Sequence, residues 1–218
     1  MKYFIDTEFK EKPNTIDFIS IGIVTENGDE YYAISKDFNL KEVWKDDWLR
    51  ENVLKTLHTD LCKMVGTYGK TYHWGLFEPF TRKSMRNLIK WYGKTNKQIG
   101  DEIKEFVYKT NDNIHPDTVS NFDEIIKKRP IEFYAYYADY DWVVFCWLFG
   151  RMMDLPKGFP MYCKDLKQTM DDNGFTKEWK QKFVPDDINE HNAIADAKWN
   201  LKLFNQMVLQ KPKSVGKK

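Results

Sequence analysis

Lys2-Tyr-Phe-Ile-Asp-Thr-Glu8 is a short apolar, β-prone run that closes on two carboxylates. A second strand-like run follows, Phe18-Ile-Ser-Ile-Gly-Ile-Val24, in which Gly22 permits a bulge or a close approach. Asn27-Gly28 is a turn signal, and Glu30–Ile34 reads as the returning strand. Three strands this close in sequence predict an antiparallel meander. Helical patterns then take over, at Lys41–Leu57 and at Gln98–Lys109. Ile131–Tyr137 reads as a further strand after Pro130, and Asp141–Met153 as a largely buried helix. Asn192–Leu209 is the clearest helix, with Ile194, Leu201, Phe204 and Val208 on an apolar face. Strands first, then helix alternating with strand, predict an α/β layered domain with a mixed sheet.

Bulk properties fit one well-cored domain. The 218 residues are 42% hydrophobic and 16% aromatic, enough to bury a core. The formal net charge is only +1, so any nucleic-acid partner must be met by a local patch. Cys62, Cys146 and Cys163 are odd in number and lack C-x-x-C spacing. They read as small buried thiols of a reducing compartment, not as a disulfide framework or a zinc site. No basic segment followed by an apolar one opens the chain, so no signal peptide is expected. The longest apolar run, Trp142 to Phe149, is too short to span a bilayer. A cytoplasmic location is expected. Domain boundaries are drawn at 1–210, with a basic, disordered tail over 211–218.

Four acids and a histidine carry the chemistry. Asp6 and Glu8 are two apart, so on a strand both point the same way, and they repel unless a cation sits between them. Asp141 closes the run Ala135-Tyr-Tyr-Ala-Asp-Tyr-Asp141. His191 and Asp196 lie in Glu190-His-Asn-Ala-Ile-Ala-Asp196, at the start of the last helix. The alanines there would let that helix sit close to the sheet and bring Asp196 to the strand ends. Taken singly, Asp196 also reads as a solvated helix-face residue and His191 as a polar helix-start residue. Clustered carboxylates suit hard divalent cations, and such cations suit phosphate chemistry.

The order D-x-E, then Tyr-Asp late in the chain, then H-x4-D opening the last helix resembles the DEDDh 3′–5′ exonucleases. Ile16-Asp-Phe-Ile-Ser-Ile-Gly22, Trp48-Leu-Arg-Glu-Asn-Val-Leu54, Leu155-Pro-Lys-Gly-Phe-Pro160 and Asp165-Leu-Lys-Gln168 narrow the resemblance to one branch. That branch is the small bacterial and phage 3′–5′ exoribonuclease family first described in mycobacteria. The resemblance covers nearly all of residues 1–209 and is poorest from about Met64 to Gln98. It implies a ribonuclease H-like fold with a mixed five-stranded sheet flanked by helices. It also implies two divalent cations, Mg2+ with Mn2+ able to substitute, held by Asp6, Glu8, Asp141 and Asp196. His191 would then be the general base. Asp139 competes with Asp141 for the second motif, but the family pattern places an aromatic just before the acid, and Tyr140-Asp141 fits it. Asp139 would cap the helix instead.

Residues 61–100 carry eight Lys/Arg, among them Arg82, Lys83 and Arg86, against one acid, Glu78. Tyr68, Tyr72, Trp74, Phe77, Phe80, Trp91 and Tyr92 are interleaved with them. This basic and aromatic segment, which looks like an insertion, is either a grip on single-stranded nucleic acid or a solvated helix face with ordinary core aromatics. Thr7 and Phe9, on either side of Glu8, are placed with the substrate; Phe9 would stack on a base or belong to the core. The expected activity is release of 5′-mononucleotides from single-stranded RNA or 3′ overhangs. A DNA exonuclease remains open, because no residue here reports on the 2′-OH. An inactive nucleic-acid-binding domain is disfavoured by the intact five-residue set. A homodimer would suit the superfamily.

Overall fold

A computed structural model describes residues 1–68, 79–185 and 191–210. Its centre is one five-stranded sheet in the order β3-β2-β1-β4-β5. The strands are β1 (Lys2–Lys12), β2 (Thr15–Thr25), β3 (Glu30–Ile34), β4 (Glu132–Ala135) and β5 (Lys164–Asp165). β1, β2 and β3 pair antiparallel, as the meander predicts, while β4 and β5 add on parallel to β1. This is the mixed α/β sheet flanked by helices that a ribonuclease H-like fold requires.

The helices divide between the two faces. Between β3 and β4 run α1 (Leu40–Lys45), α2 (Asp47–Leu49), α3 (Lys55–Tyr68), α4 (Arg82–Tyr92), α5 (Asn96–Thr110) and α6 (Phe122–Lys128). After β4 come α7 (Asp139–Trp147), α8 (Leu166–Asp172), α9 (Lys177–Phe183) and α10 (Ala193–Gln210). Tyr3, Ile5, Ile21 and Ile23 pack one sheet face against α5, α6 and α7. On the other face, Ile19 and Ile34 join α1 to α4, while Phe4 and Tyr134 join α8 and α10. Period-2 alternation along β1 therefore sends Tyr3 and Ile5 one way and Phe4 the other.

A bulge interrupts the alternation where it matters. Glu8 pairs with Ser20 but Phe9 with Phe18, which leaves Ile19 as an extra residue in β2. The insertion exchanges faces: Phe18 packs with Ile21 and Ile23, whereas Ile19 joins the opposite cluster. Gly22 is not the bulge. It pairs with Asp6, and a Cβ on it would lie 2.2 Å from the Ala193 carbonyl oxygen. Glycine at this position is what lets the start of α10 rest on the sheet beside Asp6.

Several boundaries differ from the sequence expectation. The expected Lys41–Leu57 helix is broken at Asp46, whose carboxylate caps α2 through the Leu49 N–H, and a π-helical turn over Arg50–Leu54 leads into α3. α7 begins at Asp139 and stops at Trp147, short of Met153, with Gly150 in a positive-φ conformation beyond it. Asp139 is its first residue, not its cap. α10 buries Ala193, Ala197, Asn200, Leu203 and Met207; of the expected face, Leu201 and Phe204 pack partly buried beside them, while Val208 is exposed. The polar anchor is Asn200, whose amide donates to the Ile5 carbonyl at 2.9 Å and sets the helix against β1. In the 61–100 segment, Leu61, Cys62, Met85, Leu88 and Ile89 belong to the core, and Phe80 packs against it. Tyr72, Trp74, Phe77, Glu78 and the tail 211–218 lie outside the described residues. Among the described residues, no helix is long and apolar enough to cross a membrane.

Candidate active site

Asp6 and Glu8 project from β1 on the face that carries α10, and Asp196 comes from the first turn of that helix. One oxygen from each of the three lies within 4.8 Å of the others. Asp141 enters from α7. Its Oδ1 accepts from the Thr7 N–H at 2.8 Å and from the Thr7 hydroxyl at 2.6 Å. Thr7 thus ties the fourth acid to the backbone between Asp6 and Glu8. The four acids predicted from sequence converge from three separate segments.

The electrostatics of this cluster are unfavourable without a cation. Burial first, and then Asp141, Glu8 and Asp196, push the Asp6 carboxyl well above the usual range. Burial, Asp196 and Asp141 push Glu8 up to about 8. Burial raises Asp141 to about 6 despite the two hydrogen bonds from Thr7, which favour its ionised form. Among the described residues, no lysine, arginine or histidine forms an ion pair with Asp6, Glu8 or Asp141. Converging acidic oxygens fit hard divalent cations, which take oxygen ligands.

His191 sits at the start of α10 in a left-handed conformation, φ 69°. Its N–H donates to Asp196 Oδ2 at 2.9 Å. Asn192 follows: its side-chain oxygen caps α10 through the Ala195 N–H, and its amide donates to Asp60 Oδ2 on α3 at 2.5 Å. Phe9 lies partly buried against the core and meets Tyr140 edge-on, ring centroids 5.8 Å apart. Arg82, Lys83 and Arg86 stand exposed on α4, which packs on α3 and α1, so they share no element with the carboxylates.

Sequence reasoning assigned no role to several residues that build the site. Asp165 caps α8 through the Gln168 N–H at 2.8 Å and also accepts the Ala138 N–H at 2.7 Å, holding the turn that presents Asp141. Asp165-Leu-Lys-Gln168 carries a helix-start signal in its sequence, but nothing there reports the link to Ala138. Asn192 and Asn200 were legible only as helix residues. Trp48 lies edge-on to His191, and only the fold shows it.

The model of the 3′–5′ exoribonuclease Rv2179c-like domain family matches residues 1–208. Two curated relatives, both from Mycobacterium tuberculosis, are the 3′–5′ exoribonuclease Rv2179c of strain H37Rv and the 3′–5′ exoribonuclease MT2234.1 of strain CDC 1551. Each is 28% identical to this chain over 204 residues, which is 94% of this chain and 91% of the relative.

Proposed function

The chain belongs to the Rv2179c-like 3′–5′ exoribonuclease family, and on that premise we propose that it removes nucleotides one at a time from the 3′ end of single-stranded RNA. The observation that carries this reading is the approach of Asp6, Glu8 and Asp196 to within 4.8 Å, with Asp141 fixed beside them by Thr7. These four residues would hold two divalent cations, magnesium with manganese able to replace it. When bound, such ions lower the pKa of water and stabilise charge on the departing oxygen.

The chain's own residues do the rest. His191 takes the proton from the attacking water. The water oxygen bonds to phosphorus as the bond to the 3′ oxygen of the preceding nucleotide breaks, and the product is a 5′-mononucleotide. Thr7 keeps Asp141 oriented, and the peptide N–H of His191 keeps Asp196 oriented. Phe9 is available to a base at the strand end. Arg82, Lys83 and Arg86 supply charge for the phosphates farther along the strand.

The test is product analysis on end-labelled single-stranded RNA and matched DNA, with magnesium and with chelator. Release of 5′-mononucleotides from the 3′ end of RNA, abolished by chelator, is expected. Internal cleavage, or activity that survives chelation, would overturn the reading. Equal turnover of the DNA strand would remove the preference for RNA. His191→Ala should lower kcat by ~100-fold or more while magnesium binding, followed by calorimetry, stays within a few-fold of the parent.

A further inference from the structure

We propose that Trp48 is a positioning residue for His191: its indole holds the imidazole in the orientation from which it accepts the proton. This rests on His191 being the general base. The two rings meet with centroids 4.6 Å apart and planes at 71°, the edge-to-face arrangement that aromatic pairs favour. Among the described residues, His191 is otherwise tied through its backbone. Its N–H is held by Asp196, and the next residue, Asn192, is held by Asp60. These bonds fix where the imidazole begins but leave its side-chain torsions free. The Trp48 ring supplies the lateral contact that limits them.

The carrier of Trp48 is built to keep it in register with the carboxylates. Asp46 caps α2 through the Leu49 N–H and accepts Lys10 Nζ at 2.7 Å. Lys10 lies on β1, two residues beyond Glu8, so the strand bearing Asp6 and Glu8 also anchors the turn bearing Trp48. Trp48 is 52% exposed, which gives its truncation a small cost in core packing. A base displaced by about 1 Å can lose on the order of 100-fold in rate, so a lateral ring contact has kinetic weight out of proportion to its buried area.

A double-mutant cycle on the full chain with magnesium and a single-stranded RNA oligonucleotide tests this. Trp48→Ala should lower kcat by ~10–100-fold with KM changed less than ~3-fold. Trp48→Phe, which keeps an aromatic edge, should recover most of the loss. Trp48→Ala in the His191→Ala background should cost nothing further, because both changes remove the same function. Thermal melting is measured alongside, and the Phe variant carries the test if the Ala variant melts before the assay temperature. Additive losses, or a loss confined to KM, would overturn the proposal and make Trp48 a stacking surface for the substrate. If His191→Ala alone retains the parent kcat, it is the general-base reading that fails. That outcome is visible before any Trp48 variant is compared.

Discussion

Glu8→Gln should make the metal-free protein more stable while abolishing its activity. The wild-type carboxyl is pushed from 4.5 up to about 8 by burial and by Asp196 and Asp141. The folded state therefore holds this proton over a pH range in which the unfolded chain has released it. Stability from this group is complete below pH 4.5 and is lost as pH rises through 8. At ~1.4 kcal/mol per pH unit the whole difference is worth up to about 5 kcal/mol. Water and sodium entering the cleft shield part of the charge, so the expected gain for the Gln variant is ~2–4 kcal/mol above pH 8 and near zero at pH 4.5. For a chain of this size that corresponds to a melting temperature raised by about 5–10 °C. The assay is thermal unfolding of both proteins in chelator at pH 4.5, 6.5 and 8.5, repeated with magnesium. Magnesium should stabilise the wild type, increasingly as pH rises and the site deprotonates, and should do little for the variant. Equal melting temperatures at pH 8.5 in chelator, or equal stabilisation of both proteins by magnesium, would refute the repulsive-cluster argument.

Three further outcomes follow from the geometry. Gly22→Ala places a methyl 2.2 Å from the Ala193 carbonyl oxygen, backbone that cannot rotate away, so urea denaturation should show a loss of ~3 kcal/mol and activity should fall with it. Asp165→Ala removes the acceptor for both the Ala138 and Gln168 N–H groups; a loss of ~1–3 kcal/mol is expected with a lower kcat, because the turn before Asp141 loosens, and an unchanged kcat would show that this turn holds itself. Replacing Arg82, Lys83 and Arg86 together with Ala should raise KM and reduce the salt dependence of RNA binding, read by fluorescence anisotropy across a salt series; an unchanged slope would return α4 to a solvated face.

The meander shows how far local pattern reaches. Tyr3–Ile5, Phe18–Val24 and Glu30–Ile34 are apolar runs with a turn signal before the third, and period 2 placed Asp6 and Glu8 on one side of β1. Register is a different matter. The bulge at Ile19 depends on which β2 residue faces Glu8, a pairing between strands that neither strand's own sequence states. The C-terminal end of α7 is not legible in the sequence because Trp142 to Phe149 is apolar throughout, and periodicity has no contrast in such a run. The apolar stripe of α10 finds Leu201 and Phe204 but misses the centre of its contact with the sheet, which is made by Ala193, Ala197 and the polar Asn200.

The site divides along the same line. The sequence by itself determined the candidate inventory, Asp6, Glu8, Asp141, His191 and Asp196, because the order and spacing of acids and histidine are properties of the chain. Only the tertiary structure decided how that inventory is held. Thr7 reaches Asp141 across 134 positions of sequence, Asn192 reaches Asp60 across 132, and Asn200 reaches Ile5 across 195. Hydrogen bonds of this reach leave no periodicity or local spacing to read. They exist only because the sheet order sets β1 between β2 and β4, with Gly22 letting α10 settle over the carboxylates.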